Sequence, residues 1–364
     1  MDIRTIGNDS MLIRKGLTIL IIFLFVEVSI ISSTAENSEI KSKSQSNRRI
    51  IYVDDDNTEG PWDGTIEHPY WLIQWGIDAA EDGDTVFVFN GIYWLNEITV
   101  DKSISLIGED KNNTIIDGYF DSPLVRITAD GVTMKGFKLL NKDRWSGIIL
   151  SSDNNLITDN IVTDCQAGVN VFSNNNTIED NIIDDNSKYG IIIWNDCNYN
   201  TIKYNTIRFN GEYGIKLIDS MSHNLICGNY FENNSIGIEP GDAQQTTICD
   251  NIFVNNGYGV KISRATGVNV SRNSFQNNNY GIYLASGGNT IRNNNFISNN
   301  YDATFKYYGS SKKNYWNHNY WDRPRFLPKL ITGKLVIPYP EGENEYFWLN
   351  FDWRPALKPI NITD

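Results

Sequence analysis

Between residues 147 and 299 the apolar and polar positions repeat one register seven times. Each copy opens on a glycine (Gly147, Gly168, Gly190, Gly214, Gly237, Gly259, Gly281), at spacings of 21 to 24 residues. Ile157, Ile178, Ile202, Ile226, Ile248, Val270 and Ile291 follow, and three residues after each comes an asparagine: Asn160, Asn181, Asn205, Asn229, Asn251, Asn273, Asn294. Two positions further stand Val162, Ile183, Ile207, Phe231, Phe253, Phe275 and Phe296. A second polar column, Cys165, Asn186, Asn210, Asn234, Asn256, Asn278 and Asn299, closes the unit. After each glycine the pattern alternates, as in Ile215, Lys216, Leu217, so a short strand turns one face inward and the other outward. Units of two or three such strands cannot bury their apolar side alone and must stack on their neighbours. The pattern predicts an all-β chain, a right-handed parallel β-helix solenoid of about ten coils. Asparagine suits its turns because it tolerates left-handed backbone angles, and stacked coils about 4.8 Å apart align its amides into ladders.

Less regular coils are expected over residues 85–89, 104–107, 114–117 and 132–139, which puts the solenoid at residues 85–300. Residues 50–84 read as an N-terminal cap, with a short helix over residues 74–80 closing the opening. Six of the ten prolines follow Arg323, so residues 301–364 read as an irregular C-terminal cap. Eight of the ten tryptophans lie outside the regular coils, Trp62, Trp71, Trp75 and Trp94 toward one end and Trp316, Trp321, Trp348 and Trp353 toward the other, where large aromatics cover open core and strand edges or stack on sugar rings. Upstream, residues 17–31 are an apolar run preceded by Arg14 and Lys15 and followed by Ser33, Thr34 and Ala35. Residues 1–35 therefore read as a signal peptide or an uncleaved N-terminal anchor, and residues 36–49 as a flexible tether. The expected location is secreted or at the cell surface.

A net charge of −13 on an exported chain argues against nucleic acid and anionic lipid as partners, and leaves membrane contact to the anchor alone. Acidic polysaccharides would be repelled unless a cation or a basic patch intervenes. Four cysteines are too few for a disulfide scaffold. Cys227 and Cys249 share a register one coil apart, which permits a disulfide without requiring one.

Outward positions on three successive coils supply the candidate chemistry. Lys216, Glu239 and Lys261 stand two residues after their glycines, and Asp219, Asp242 and Arg264 five residues after. Asp219 and Asp242 one coil apart approach the separation of about 5 Å used by retaining glycosidases, with Glu239 as a third acid. In a uronate lyase the acids would hold Ca²⁺ and Lys261 or Arg264 would act as base. The competing reading is a solubilising column of cross-strand charge pairs. The residues before the coil glycines, Tyr189, Tyr213, Tyr258 and Tyr280, form a second outward register interrupted by Ile236, with Trp194 near its first member. Such a strip stacks on a glycan chain or on itself. No cofactor is expected: three histidines and scattered soft ligands support copper poorly, and Asp54, Asp55, Asp56 and Asn57 either hold a hard cation such as Ca²⁺ or form a solvated acidic run, the commoner case.

The segments YVDDDN (residues 52–57), GPWDGT (60–65) and IDAAEDGDTVFVFNGIY (77–93), together with the repeat, resemble the NosD-like, pectin-lyase-like β-helix proteins of archaea and bacteria, over residues 50–355. The resemblance implies the fold and leaves activity open, because this architecture hosts lyases, hydrolases, epimerases, accessory factors and non-catalytic surface proteins. The Asn-Thr-Asp and His-Gly elements of polygalacturonases and the Asp-Pro-His-Asp element of alginate epimerases are absent. Three functions follow as expectations: a non-catalytic protein that binds extracellular polysaccharide or builds the envelope, a polysaccharide lyase or hydrolase acting through the charged patch, and an accessory factor for a membrane or metal-maturation complex. The short, uniform turns favour the first.

Overall fold

The computed structural model describes residues 48–364 except 96, 119–121, 143, 220–221, 309–311, 340–341 and 363–364. The leader and most of the tether expected at the N-terminus lie outside the described residues. Among the described residues no helix is long and apolar enough to cross a membrane.

Among the described residues the coils contribute short strands to three sheets of 12, 12 and 11 strands, parallel throughout except for the final pair of one 12-stranded sheet. Sheet A holds the strands that carry the Ile/Val column, such as Leu225–Cys227, and sheet B the strands after the asparagine turn, such as Tyr230–Glu232. Sheet C holds the five-residue strands at the coil glycines, such as Tyr213–Leu217 and Tyr258–Ile262. Each sheet pairs residue to residue across coils, for example Ile202, Ile226 and Ile248 in one column. The parallel pairing starts ahead of residue 85, because Ile50–Val53 pairs with Thr85–Val88 as the first rung of sheet A. A helix, α1 (Ile73–Ala79), buries Ile73 and Ile77 at this end of the core.

The core is a stack of like residues. Phe231, Phe253, Phe275, Phe296 and Trp321 form a continuous ring column with centroids 4.4 to 5.1 Å apart. The asparagine columns lie inside the wall and are hydrogen-bonded throughout. Asn251 is representative: its Oδ1 accepts from the backbone N (2.8 Å) and Nδ2 (3.0 Å) of Asn229, while its Nδ2 donates to Ile226 O (2.9 Å) and Asn273 Oδ1 (3.0 Å). Residues that precede these columns adopt left-handed angles, Asp250 at φ 53° and Asn255 at φ 56°. A third column, Asn155, Asn176, Asn200 and Asn224, resuming at Asn289 and Asn314, links the turns ahead of sheet A.

The C-terminal region is more regular than its prolines suggest. Lys329–Tyr339 continues sheet C in parallel and then pairs antiparallel with Gly342–Asp352, which forms the outer edge. Pro324, Pro328, Pro355 and Pro359 fall outside these two strands, where a missing N–H costs no ladder bond. Asp352 is fully buried and takes the place of the next asparagine. Its carboxylate accepts from Asn319 N (2.9 Å), Asn319 Nδ2 (3.0 Å) and Trp321 Nε1 (3.1 Å), ending both the amide ladder and the ring column.

Candidate functional site

On sheet C the backbone pairing skips each coil glycine, and the chain turns there so that the residue before it and the residue two after it share the outer face. Glycine is required at this point: a Cβ on Gly237 would lie 2.5 Å from Gly259 O and 2.8 Å from the Phe253 ring. The outcome is that Lys216 Nζ sits 4.6 Å over the Tyr213 ring, and Lys261 Nζ 5.7 Å over that of Tyr258.

The charged residues read from the sequence do meet on this face, as closed pairs. Glu239, only 5% exposed, lies between Lys216 and Lys261. Lys216 Nζ donates to its Oε2, Ser263 Oγ donates to its Oε1 at 2.7 Å, and Lys261 Nζ stands 3.8 Å away. Burial pushes the Glu239 pKa up, but the bonds from Lys216 and Ser263 and the two lysine charges prevail and hold it below the usual carboxylate value. Arg264 lies between the two aspartates, with Nε 2.7 Å from Asp242 Oδ1 and Nη2 4.0 Å from Asp219 Oδ1. The Asp242 contact is an ion pair whose angles fall short of a hydrogen bond.

The tyrosine register forms two stacked runs. Tyr189 and Tyr213 lie 5.6 Å apart, and beyond Ile236 the run Tyr258, Tyr280, Tyr301 stacks at 4.7 and 4.8 Å. Tyr301 and Tyr283, which meets Tyr258 edge-on at 5.9 Å, extend the strip beyond the residues read from the sequence. Tyr301 escapes that reading because Asp302 follows it where earlier coils have glycine. The Tyr213 phenol is pushed up to about 12 by burial and by the Glu239 charge beside it, so it stays neutral. Trp194 stands apart, its ring stacked on Phe172 at 5.5 Å.

Asp117 escapes sequence reasoning as well. Burial raises its pKa, Lys142 stands 4.0 Å away, and Lys142 in turn lies 5.7 Å over the exposed Trp94 ring. The irregular coils that bring these residues together carry no repeat to reveal the meeting.

The profile of a family described as "Periplasmic copper-binding protein (NosD)" matches residues 77–258 and 241–325, more than half of the chain. No match to a curated protein was found. Among solved structures the chain is similar to the catalytic domain of a GH87 α-1,3-glucanase in complex with nigerose, at 12% identity and a TM-score of 0.56, covering 78% of this chain and 60% of that one. It is similar to a PL6 family alginate lyase at 17% identity and a TM-score of 0.54, with 69% and 42% covered. It is also similar to the A-module of an Azotobacter vinelandii mannuronan C-5 epimerase at 15% identity and a TM-score of 0.54, with 73% and 94% covered. The chain thus spans 60% and 42% of the glucanase and lyase chains, and identities this low speak for the fold alone.

Copper in the family's description calls for soft donors in a cluster. Among the described residues one group of His, Cys, Asp or Glu has that form: Cys227, Cys249 and Asp250, with donor atoms within 4.8 Å of one another. The two sulfurs are joined in a disulfide across adjacent coils, Cα atoms 4.6 Å apart, and Asp250 is paired with Arg272 at 2.7 Å. These donors, as they stand, do not fit a copper ion. What the match and the fold establish together is narrower: this chain is a member of the NosD family, built as a parallel β-solenoid.

Proposed function

We propose that the protein is an extracytoplasmic β-solenoid that binds a linear polysaccharide along sheet C without turning it over. One observation carries the reading: the stacked tyrosines, above all Tyr258, Tyr280 and Tyr301, which set flat apolar rings in file along the solenoid axis. A pyranose presents C–H groups on its face and hydroxyls at its edge. Because these rings stack face to face, the strip offers ring edges to the C–H groups and phenol hydroxyls to the sugar hydroxyls, with the ammonium of Lys261 beside Tyr258 and that of Lys216 beside Tyr213. The charged patch supports the non-catalytic half. General-acid cleavage needs a carboxyl held protonated near neutral pH, and Glu239 is shifted the opposite way. Asp219 and Asp242 are both engaged by Arg264. The family's periplasmic description supports an exported location.

The test is incubation of the protein with neutral and acidic polysaccharides, with and without Ca²⁺, following new reducing ends and the ultraviolet absorption of unsaturated uronates. Retention is measured in gels that contain each polymer. Retention without product, lost in a Tyr258→Ala/Tyr280→Ala variant, supports the proposal. Product that vanishes in Asp219→Ala and Asp242→Ala would overturn it in favour of a lyase or hydrolase.

A further inference from the structure

The C-terminal hairpin creates a second aromatic feature away from the tyrosine strip. Where its edge strand passes the last strand of sheet A, Tyr315–Asn317, a cleft of about 290 Å³ opens. It is lined by Lys313, Tyr315, Trp316, Leu349, Phe351 and Trp353, among others. Trp353 is 67% exposed and stacks on Phe351 at 4.9 Å, and Tyr315 is 59% exposed. Core packing does not explain rings left this open, and contiguous exposed apolar surface marks a contact site.

Two observations point to a ligand that is both anionic and rich in oxygen. Among the described residues Lys313 is the one charged residue lining the cleft, and its ammonium has no ion pair or hydrogen bond there. The surrounding sequence has the same sign: residues 301–364 hold nine Lys and Arg against seven Asp and Glu, a balance of +2, in a chain whose total is −13. Trp316, 3% exposed, lines the cleft, and among the described residues its buried indole N–H has no acceptor. A buried donor left unmet is costly, and a hydroxyl or carboxylate oxygen would meet it.

We infer that this cleft is a subsite for the ring of an anionic sugar of the uronate class, with Trp353 and Tyr315 against the ring face and Lys313 on the carboxylate. The inference rests on the polysaccharide-binding reading and gives it a ligand class. It also answers the charge problem of an acidic solenoid, because an acidic chain is met at the end where the balance is positive.

The test titrates the whole protein with a galacturonate hexamer and a mannuronate hexamer, with the neutral cellohexaose as control, by calorimetry and tryptophan fluorescence. At least one acidic hexamer should bind more tightly than the neutral one. Trp353→Ala should weaken that binding on the order of tenfold. Lys313→Gln should weaken it about threefold and flatten its salt dependence. Circular dichroism and melting should match the parent, since both side chains are exposed. Absence of binding by either acidic hexamer, or binding untouched by both substitutions, would overturn the inference. Failure of the broader reading is distinguishable, because it appears as no retention on any polymer. Loss of retention in the tyrosine variant, with Trp353→Ala unchanged, would sink the cleft and leave the strip.

Discussion

The asparagine wall and the C-terminal cleft use the same chemistry, polar groups beside stacked rings, and come to opposite ends. In the wall each amide is engaged by the coils on either side: Asn251 makes four side-chain hydrogen bonds and Phe253 stacks on both its neighbours. In the cleft an ammonium and an indole N–H lack partners among the described residues, and Trp353 faces solvent. Repetition consumes binding capacity, because every residue finds its own copy one coil away. Capacity is greatest where the repeat stops. The sheet C face lies between these extremes, with its charges paired and its tyrosines half-exposed.

The largest effect that can break this contrast is loss of one wall amide. Asn251→Ala leaves the backbone N of Asn229 without its acceptor, removes one further bond each from Asn229 Nδ2, Ile226 O and Asn273 Oδ1, and should cost roughly 3–5 kcal/mol in urea unfolding. A cost under about 1 kcal/mol would mean the ladder is not the source of the wall's rigidity. Gly237→Ala forces a methyl into 2.5 Å of Gly259 O and should cost about 1–3 kcal/mol, read as a lowered melting temperature.

Glu239→Gln examines the intermediate region through pH. The folded pKa lies below the unfolded one, so the contribution is present above the ordinary glutamate value and is lost as pH falls through the depressed value. The parent should lose stability over that acid window and the variant should show a flatter profile, at a cost of about 1–2 kcal/mol at neutral pH. Equal slopes would mean that the Lys216 pair is absent in solution. The smallest effect is expected for Asp219→Ala, whose partner Arg264 is 4.0 Å away and well exposed: under about 0.5 kcal/mol, with no change in polymer retention.

The solenoid and two of its three amide columns were legible because their period is kept through seven copies. The third was not, because Thr246 and Val268 interrupt it between Asn224 and Asn289. The register correctly aligned Lys216 with Glu239, since pairing in a stack follows from position. It did not show that Arg264 lies between Asp219 and Asp242, which depends on side-chain rotamers. The cleft was illegible for a topological reason. Tyr315 and Trp353 come from segments brought together by an antiparallel hairpin, where parallel repetition no longer predicts neighbours. Asp352 standing in for a ladder asparagine is hidden in the same way.

The most direct measurement is binding of an acidic hexamer to three proteins: the parent, Trp353→Ala, and the Tyr258→Ala/Tyr280→Ala variant. Product formation is followed in the same tubes. The account predicts binding without product, weakened on the order of tenfold in Trp353→Ala and weakened as well when the tyrosine strip is trimmed. Cleavage of the hexamer, or binding that ignores Trp353, would contradict the account.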